Sequence, residues 1–490
     1  MLLSTLLAPL GISEGFQDTE ITDIAYDSRQ ACPGCVFVCI QGSASDGHSY
    51  AAAAAAAGAA AIIAQHPVEL PPQFVPQVAL VKDTKKALAL MSAVFFGNPV
   101  GKEITVIGIT GTKGKTTTAY MVRSILEAAG YKTGAMGTIG AAIGDQVTPL
   151  DNTTPISYQV YKNLRKMADA GCRYCVMEVS SIGLKDSRVY GLPFQVGIFT
   201  NFSQDHIGGV EHKDMQEYLE CKAMLFSQCE TGVINGDDPC VGKLLENSTC
   251  RPFFYGMGPT ASLRGENCRH LNQPGLLGVE FHVAGSLDFT AQVGIPGRFN
   301  AYNALAAIAC CHSLGIPVEA MKKGLLSVRV KGRVEPVPVP GNYTLLLDYA
   351  HNAVSMESLL ATLREYQPKR LICLFGAGGN RPKVRRYEMG EASGRLADLS
   401  VITADNSRFE NVMDIIEDIK TGMHKTSGEY IVIPDRREAI GWCLKNAQDG
   451  DIIVLAGKGH EDYQEIEGVK HPFDERVVIR EILAAMEERK

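Results

Sequence analysis

Ile104-Thr105-Val106-Ile107-Gly108-Ile109-Thr110-Gly111-Thr112-Lys113-Gly114-Lys115-Thr116-Thr117 begins as an apolar, β-branched run and turns polar through two glycines. An apolar run of this length bounded by glycine predicts a buried strand. The segment after it carries Met121, Val122, Ile125, Leu126 and Ala129 at helical spacing, and Gly130 predicts a C-terminal cap. Strand, glycine-rich loop and helix in that order predict a phosphate cradle. Glycines let backbone N–H groups turn toward phosphate oxygens, and the helix N-terminus adds partial positive charge. Lys115 would reach the β and γ phosphates, and Thr116 would offer its hydroxyl to Mg2+. Ile109 stands where the strict GxxxxGK[ST] pattern has its first glycine. The plain alternative is a solvated Gly/Lys turn. The loop points to a nucleoside triphosphate without naming the reaction.

Outward from the loop, residues 175–177 and 196–200 are strand-like with helical patterns between them, which predicts a parallel α/β sheet. Residues 250–295 read as β-rich, and 297–315 return to helix. Upstream, residues 36–40 and 78–81 predict strands. The alanine tract from 51 to 57 and residues 84–96 predict helices, and Gly97-Asn98-Pro99 a linking turn. Downstream, Pro336, Pro338 and Pro340 interrupt helix and open a third unit with strands expected at 344–347, 371–375, 401–404 and 452–456. Polar or glycine-rich residues follow each of these strands. Ligands of open parallel sheets bind beyond the carboxyl ends of strands, so the four clusters predict one shared site. The expected division is 1–98, 99–335 and 336–490.

A chain of 490 residues exceeds one hydrophobic core. Its net charge of −7 gives no general attraction for nucleic acid, so an anionic substrate must meet a local positive cluster. The N-terminal Met1-Leu2-Leu3-Ser4-Thr5-Leu6-Leu7 has no basic leader and reads as a first helix. No apolar run reaches the roughly 18 residues that cross a bilayer, so no membrane insertion is expected. The 14 cysteines read as scattered core thiols without a paired spacing, which fits a reducing cytoplasm.

Residues 110–117, with Asn152-Thr153-Thr154-Pro155, Glu178-Val179-Ser180-Ser181, Thr200-Asn201-Phe202-Ser203-Gln204-Asp205-His206, Gly297-Arg298-Phe299-Asn300-Ala301-Tyr302-Asn303-Ala304 and Asp348-Tyr349-Ala350-His351-Asn352, resemble the Mur ligases and the related folylpolyglutamate synthetases. The resemblance covers nearly the whole chain. Asp27-Ser28-Arg29, Asp405-Asn406-Ser407-Arg408 and Gly457-Lys458-Gly459-His460-Glu461-Asp462 are similar to the branch that adds the third amino acid to a UDP-N-acetylmuramoyl peptide. The resemblance implies an N-terminal α/β UDP-binding domain, a central P-loop-type parallel-sheet ATPase domain and a C-terminal Rossmann-like domain.

It also implies roles. Gly111, Thr112, Lys113, Gly114, Lys115, Thr116 and Thr117 would hold ATP, with Asn303, Arg333, His351 and Asn352. Thr116, Glu178 and His206 would hold Mg2+, and Lys222 would be carbamylated. Catalysis would rest on Lys115, Glu178, His206 and Lys222. Tyr26, Ser28, Ser43, Ala44, Ser45, Thr153, Thr154, Ser180, Asp186 and Arg188 would contact the UDP-linked substrate. Arg381, Asp405, Asn406, Ser407, Arg408, Gly457 and Glu461 would form the amino-acid pocket. Read without the resemblance, His206 is a structural histidine, Lys222 a surface lysine and Asn303 a helix cap or buried amide. Arg408 is then a surface salt bridge and the loop serines are turn residues. Two positions depart from the family pattern: Asp186 where an amide is usual, and Ser407 where the signature has proline.

The implied reaction makes an acyl phosphate from ATP and a substrate carboxylate, which an amine then attacks. The implied partners are the UDP-N-acetylmuramoyl dipeptide, ATP and a diamino acid, acting on a monomer whose third domain closes over the nucleotide. Arg408 favours meso-diaminopimelate over L-lysine, because it can grip the distal carboxylate that lysine lacks. A lysine-adding ligase, a folylpolyglutamate synthetase and a non-catalytic nucleotide-binding partner subunit are the alternatives.

Overall fold

The apolar run before the nucleotide loop folds as the strand Thr105–Thr110, paired in parallel on both sides. The computed structural model describes residues 1–12, 15–42, 45–72, 76–205, 207–208, 211–273 and 275–488. Within these, Met1–Leu263 with Ala306–Met321 forms one compact unit, and Arg264–Leu305 with Lys322–Lys490 forms another.

In the first unit the strand Thr105–Thr110 lies between Phe194–Phe199 and Tyr174–Glu178. Cys229–Asn235 and Arg251–Gly256 continue one flank and Thr133–Gly137 the other, all parallel. Register puts Ile109 opposite Glu178 and Thr110 opposite Phe199. Three carboxyl ends therefore finish level, and the loops that leave them share one edge of the sheet. The strands are buried on both faces, which explains their nearly continuous apolar sequence. Gly108 carries no side chain because a Cβ would come within 2.8 Å of the Phe194 ring.

A second parallel sheet in this unit orders Ile24–Ala25, Val36–Val38, Ala61–Ala64 and Gln77–Leu80 as they occur in the chain. The alanine tract forms the helix Ala51–Ala56, whose Ala51, Ala54 and Ala55 pack against Phe37 and Ile62. Asp83 caps the helix Thr84–Phe95 by accepting from the N–H groups of Lys85 and Lys86.

The second unit holds a sheet ordered Glu335–Val337, Thr344–Asp348, Ile452–Ala456, Leu371–Phe375, Leu399–Ile402 and Glu429–Val432. All neighbours are parallel except the first pair. Alternate residues face opposite helical layers. Leu346, Cys373 and Val454 pack with Met356, Leu360, Met389 and Ile415. Leu345, Leu347 and Ile453 pack with Ala439, Ile440, Val478 and Ile479. The prolines expected only to interrupt helix stand in and after an edge strand, where a missing N–H costs no ladder bond. The expected strand at 401–404 is displaced to Leu399–Ile402, because the N–H of Ala404 goes to the Pro434 carbonyl instead. The strand Glu429–Val432 was not anticipated.

One buried ion pair ties this sheet's carboxyl ends together. Arg436 meets Glu475 at 2.8 Å, both nearly inaccessible to solvent. The same guanidinium donates to the carbonyls of Ala404 at 3.2 Å and Ala456 at 2.9 Å. Glu475→Ala should lower unfolding free energy by about 3 to 5 kcal/mol, because it leaves a buried cation unpaired. Urea unfolding checks this, and a loss under about 1 kcal/mol would contradict it.

Candidate active site

The nucleotide loop is held by Thr200 and Asn201, at the end of the strand Phe194–Phe199. Gly111 has φ +145° and Gly114 φ +85°, left-handed values that favour glycine. The Thr112 N–H donates to the Asn201 carbonyl at 2.8 Å, and Lys113 N–H to the Asn201 side chain at 3.0 Å. The Thr200 hydroxyl and Asn201 amide both donate to the Lys113 carbonyl, at 2.7 and 3.0 Å. Gly114 then caps the helix Lys115–Ala128. This arrangement points helix N–H groups and a partial positive charge at the loop.

Two lysines converge on one carbonyl. Lys115 Nζ donates to the oxygens of Gly111 at 2.8 Å and Thr112 at 3.0 Å. Lys222 Nζ donates to the same Gly111 oxygen at 2.9 Å and lies 4.2 Å from the centre of the Tyr218 ring. Lys222 is 1% exposed, which corrects the reading of an ordinary surface lysine. Burial, and then the Lys115 charge, pull its ammonium well below the usual lysine range. Burial lowers Lys115 as well, against the charges of Glu178 and Asp205.

Glu178 ends its strand beside this pair. It accepts from the Thr116 hydroxyl at 2.9 Å and the Thr138 N–H at 2.9 Å. Burial pushes its carboxyl upward, opposed by those bonds and by Lys115. A Cβ on Gly137 would come within 2.2 Å of the carboxylate, so glycine there makes room for it. An oxygen set of one hydroxyl and one buried carboxylate suits a hard cation, whose charge would reverse the effect of burial. His206, Ser43 and Ala44 lie outside the described residues.

Of the described residues expected to contact the UDP-linked substrate, Tyr26, Asp186 and Arg188 line a cavity of about 1120 Å³ in the same unit, with Lys85, Asn152 and Gln159 among others. The Tyr26 hydroxyl accepts from Gln159 at 3.4 Å. Ser28 begins a short 3-10 turn capped by Asp27, and the Ser45 carbonyl accepts from the Gly42 N–H at 2.9 Å. Thr153 reaches Thr138, hydroxyl to hydroxyl, at 3.1 Å. The hydroxyls of Thr154 and Ser180 are occupied locally. Thr154 donates to the Glu178 carbonyl, and Ser180 accepts from the Gly183 N–H as a helix cap. Asp186 is held between Lys85 at 2.7 Å and Arg188 at 3.0 Å. Burial alone would raise its carboxyl, but these two cations keep it low. Its carboxylate therefore positions two cations at the cavity wall. Lys85 had no distinguishing mark in the sequence, where it is one of two lysines opening a helix.

In the second unit a cavity of about 130 Å³ is lined by Tyr349, Arg381, Asn406, Arg408, Gly457 and Glu461, among others. Arg408 adopts φ +53°. Its Nε donates to Glu465 at 3.1 Å and its Nη1 to the Gly379 carbonyl at 2.8 Å. Glu461 accepts from the Asn406 amide at 2.9 Å. Beneath them, Lys458 is inaccessible and meets Asp405 at 3.3 Å, Asn406 at 3.0 Å and Glu461 at 3.4 Å. Burial would raise Asp405, but the charges of Lys458 and Arg436 hold it below the usual carboxylate range. Lys458 is absent from the expected site, although its Gly457-Lys458-Gly459 setting offered the signal. Ser407 is buried behind the cavity, its carbonyl against Gly379.

The remaining nucleotide candidates of this unit are placed locally. Asn303 donates to the Asn300 side chain at 2.9 Å. Arg333 lies 5.5 Å from the centre of the Tyr349 ring, in a turn fixed by the Val334 N–H donating to Asp348 at 2.8 Å. His351 is exposed, with Nδ1 2.8 Å from the Tyr349 carbonyl. Asn352 caps the helix Ala353–Arg364 in a reciprocal capping box with Ser355.

Known proteins resemble the chain over nearly its whole length. Residues 20–113 match the catalytic domain of the Mur ligase family, 109–311 the Mur ligase middle domain and 332–459 the Mur ligase glutamate ligase domain. The UDP-N-acetylmuramoyl-L-alanyl-D-glutamate--2,6-diaminopimelate ligase of Caldanaerobacter subterraneus subsp. tengcongensis is 41% identical, covering 97% of both chains. The protein of that name from Clostridium perfringens is 39% identical over 99% of both. A solved structure of a ligase with the same name superposes with a TM-score of 0.76 at 27% identity, covering 99% of this chain and 100% of that one. The likeness covers nearly the full length of this chain and of its relatives, and the chain belongs to the Mur ligase family.

Proposed function

We propose that this chain is an ATP-dependent ligase that joins meso-diaminopimelate to UDP-N-acetylmuramoyl-L-alanyl-D-glutamate. The observation that carries the reading is the lining of one small cavity by Arg408 and Glu461. The guanidinium suits a carboxylate and the carboxylate suits an ammonium, and the distal end of diaminopimelate has both. The names of the full-length relatives support the same substrate. In this reading residues 1–98 serve the UDP-sugar, 99–335 ATP and 336–490 the amino acid.

In this reading the γ-carboxylate of the D-glutamyl residue attacks the terminal phosphorus of ATP, giving an acyl phosphate and ADP. The free amine of diaminopimelate attacks the acyl carbon, and phosphate leaves as the amide forms. The chain's part is to position groups and balance charge. Loop N–H groups and Lys115 meet the phosphates, while Arg188, aligned by Asp186, meets an anionic part of the acceptor. Magnesium, held by Thr116, Glu178 and His206, would supply charge neutralisation at the phosphates when bound. Lys222, whose burial favours the neutral amine, adds to CO2 and loses a proton to become a carbamate. That change turns a repulsive pair of cations into an attractive pair. The reading extends to a monomer acting in the cytoplasm, where ATP is available. Among the described residues no helix is long and apolar enough to cross a membrane.

Three outcomes are expected. ADP release with the UDP-linked dipeptide should be fast with meso-diaminopimelate and slow with L-lysine; equal rates would sink the pocket assignment. Arg408→Ala should lower kcat/KM for meso-diaminopimelate by about 10- to 100-fold, the loss expected for one charge-assisted hydrogen bond. The same change should leave the slow lysine rate nearly untouched. Lys222→Ala should be inactive and regain part of its rate with added short carboxylates, whereas full activity without them would refute the carbamate.

A further inference from the structure

The cysteines are not all scattered: Cys32-Pro33-Gly34-Cys35 is a paired C-x-x-C spacing, which corrects the expectation of lone thiols. These four residues form a tight turn. The Cys35 N–H donates to the Cys32 carbonyl at 3.1 Å, and Gly34 has φ +79°. Proline second and left-handed glycine third are the marks of a type II turn. Thr22 secures it: its hydroxyl donates to the Pro33 carbonyl at 3.0 Å and its N–H to the Gly34 carbonyl at 3.1 Å. Gly34 N–H in turn donates to the Gly58 carbonyl at 2.9 Å.

A turn of this kind brings its first and fourth residues to the separation a disulfide spans. The Cys35 sulfur faces Cys32, whose N–H donates to Cys35 Sγ at 3.4 Å. Exposure divides them: Cys35 is fully buried, while Cys32 is partly open to solvent. An accessible thiol beside a sheltered one is the arrangement in which the first is attacked or attacks and the second resolves. Cys39, four residues on, is buried, and burial pushes its thiol up to about 12.

We propose that Cys32 and Cys35 form a redox-active dithiol that low-molecular-weight disulfides of the glutathione class oxidise reversibly. The Cys32 thiolate attacks one sulfur of the small disulfide, whose S–S bond breaks and releases a thiolate. Cys35, as thiolate, then attacks the Cys32 sulfur of the mixed disulfide and expels the second small thiolate. The two cysteines lose two electrons and two protons, and the small disulfide becomes two thiols. The turn lies three residues beyond Asp27-Ser28-Arg29. In a reducing compartment such a pair serves as a transient sensor rather than a structural staple.

The test uses the full-length chain and oxidised glutathione, followed by denaturation, maleimide labelling and tryptic mass spectrometry. Residues 30–82 form one tryptic peptide carrying Cys32, Cys35 and Cys39. After oxidation it should bear a single label, on Cys39, and be lighter by two hydrogens. Dithiothreitol should restore labelling at all three. Cys35→Ser should stop at a glutathione adduct on Cys32, and Cys32→Ser should abolish oxidation of the peptide. Full labelling after oxidation, a lasting glutathione adduct on wild-type Cys32, or a bridge to Cys39 would each overturn the proposal. The readout is independent of ligase activity, so it stands or falls apart from the proposed function.

Discussion

The Gly111 carbonyl accepts from two buried ammonium groups, Lys115 and Lys222, and the nucleotide loop is organised around that convergence. Burial draws both lysines toward their neutral forms, and at Lys222 the Lys115 charge adds to it. An anion arriving at the loop, or the carbamate proposed on Lys222, would meet a setting already short of negative charge. The loop itself is already bent for this task by Thr112, Lys113 and their partners at Thr200 and Asn201. Binding therefore requires little reordering of backbone, which leaves more interaction energy for the ligand.

The second unit solves a related problem in a different way. Cations sit below the carboxyl ends of its strands and anions around them. Arg436 draws in the Ala404 and Ala456 carbonyls, and Lys458 gathers Asp405, Asn406 and Glu461. Residues beyond two strand ends, 404–406 and 456–461, thereby hold one another in register. Their mutual neutralisation keeps Asp405 ionised despite burial. Positioning by buried charge is rigid, because displacing any member exposes another to an unpaired environment.

The sequence made strand Thr105–Thr110 and the carboxylate at the end of Tyr174–Glu178 legible, because both rest on apolar runs that stop at polar residues. The third-unit site was legible in outline for the same reason. Lys222 was not. Its short helix Met215–Ala223 buries Tyr218, Leu219, Cys221 and Lys222 with little periodic signal, so no face could be assigned. Glu429–Val432 was hidden, a short half-buried edge strand between Gly428 and Pro434. Pairs such as Arg436 with Glu475, 39 residues apart, arise only when the fold brings distant helices together. Asn352 carries its own local explanation as a helix cap, which a family pattern alone does not reveal.

Arg408 holds a left-handed backbone conformation, φ +53°, that asparagine or glycine adopts more readily. An arginine there costs on the order of 1 kcal/mol of folding free energy. Laboratory evolution for heat resistance would be drawn to replace it, and under the proposed function each such replacement would erode the discrimination between two diamino acids. Robustness and substrate choice would then compete at a single position of the chain.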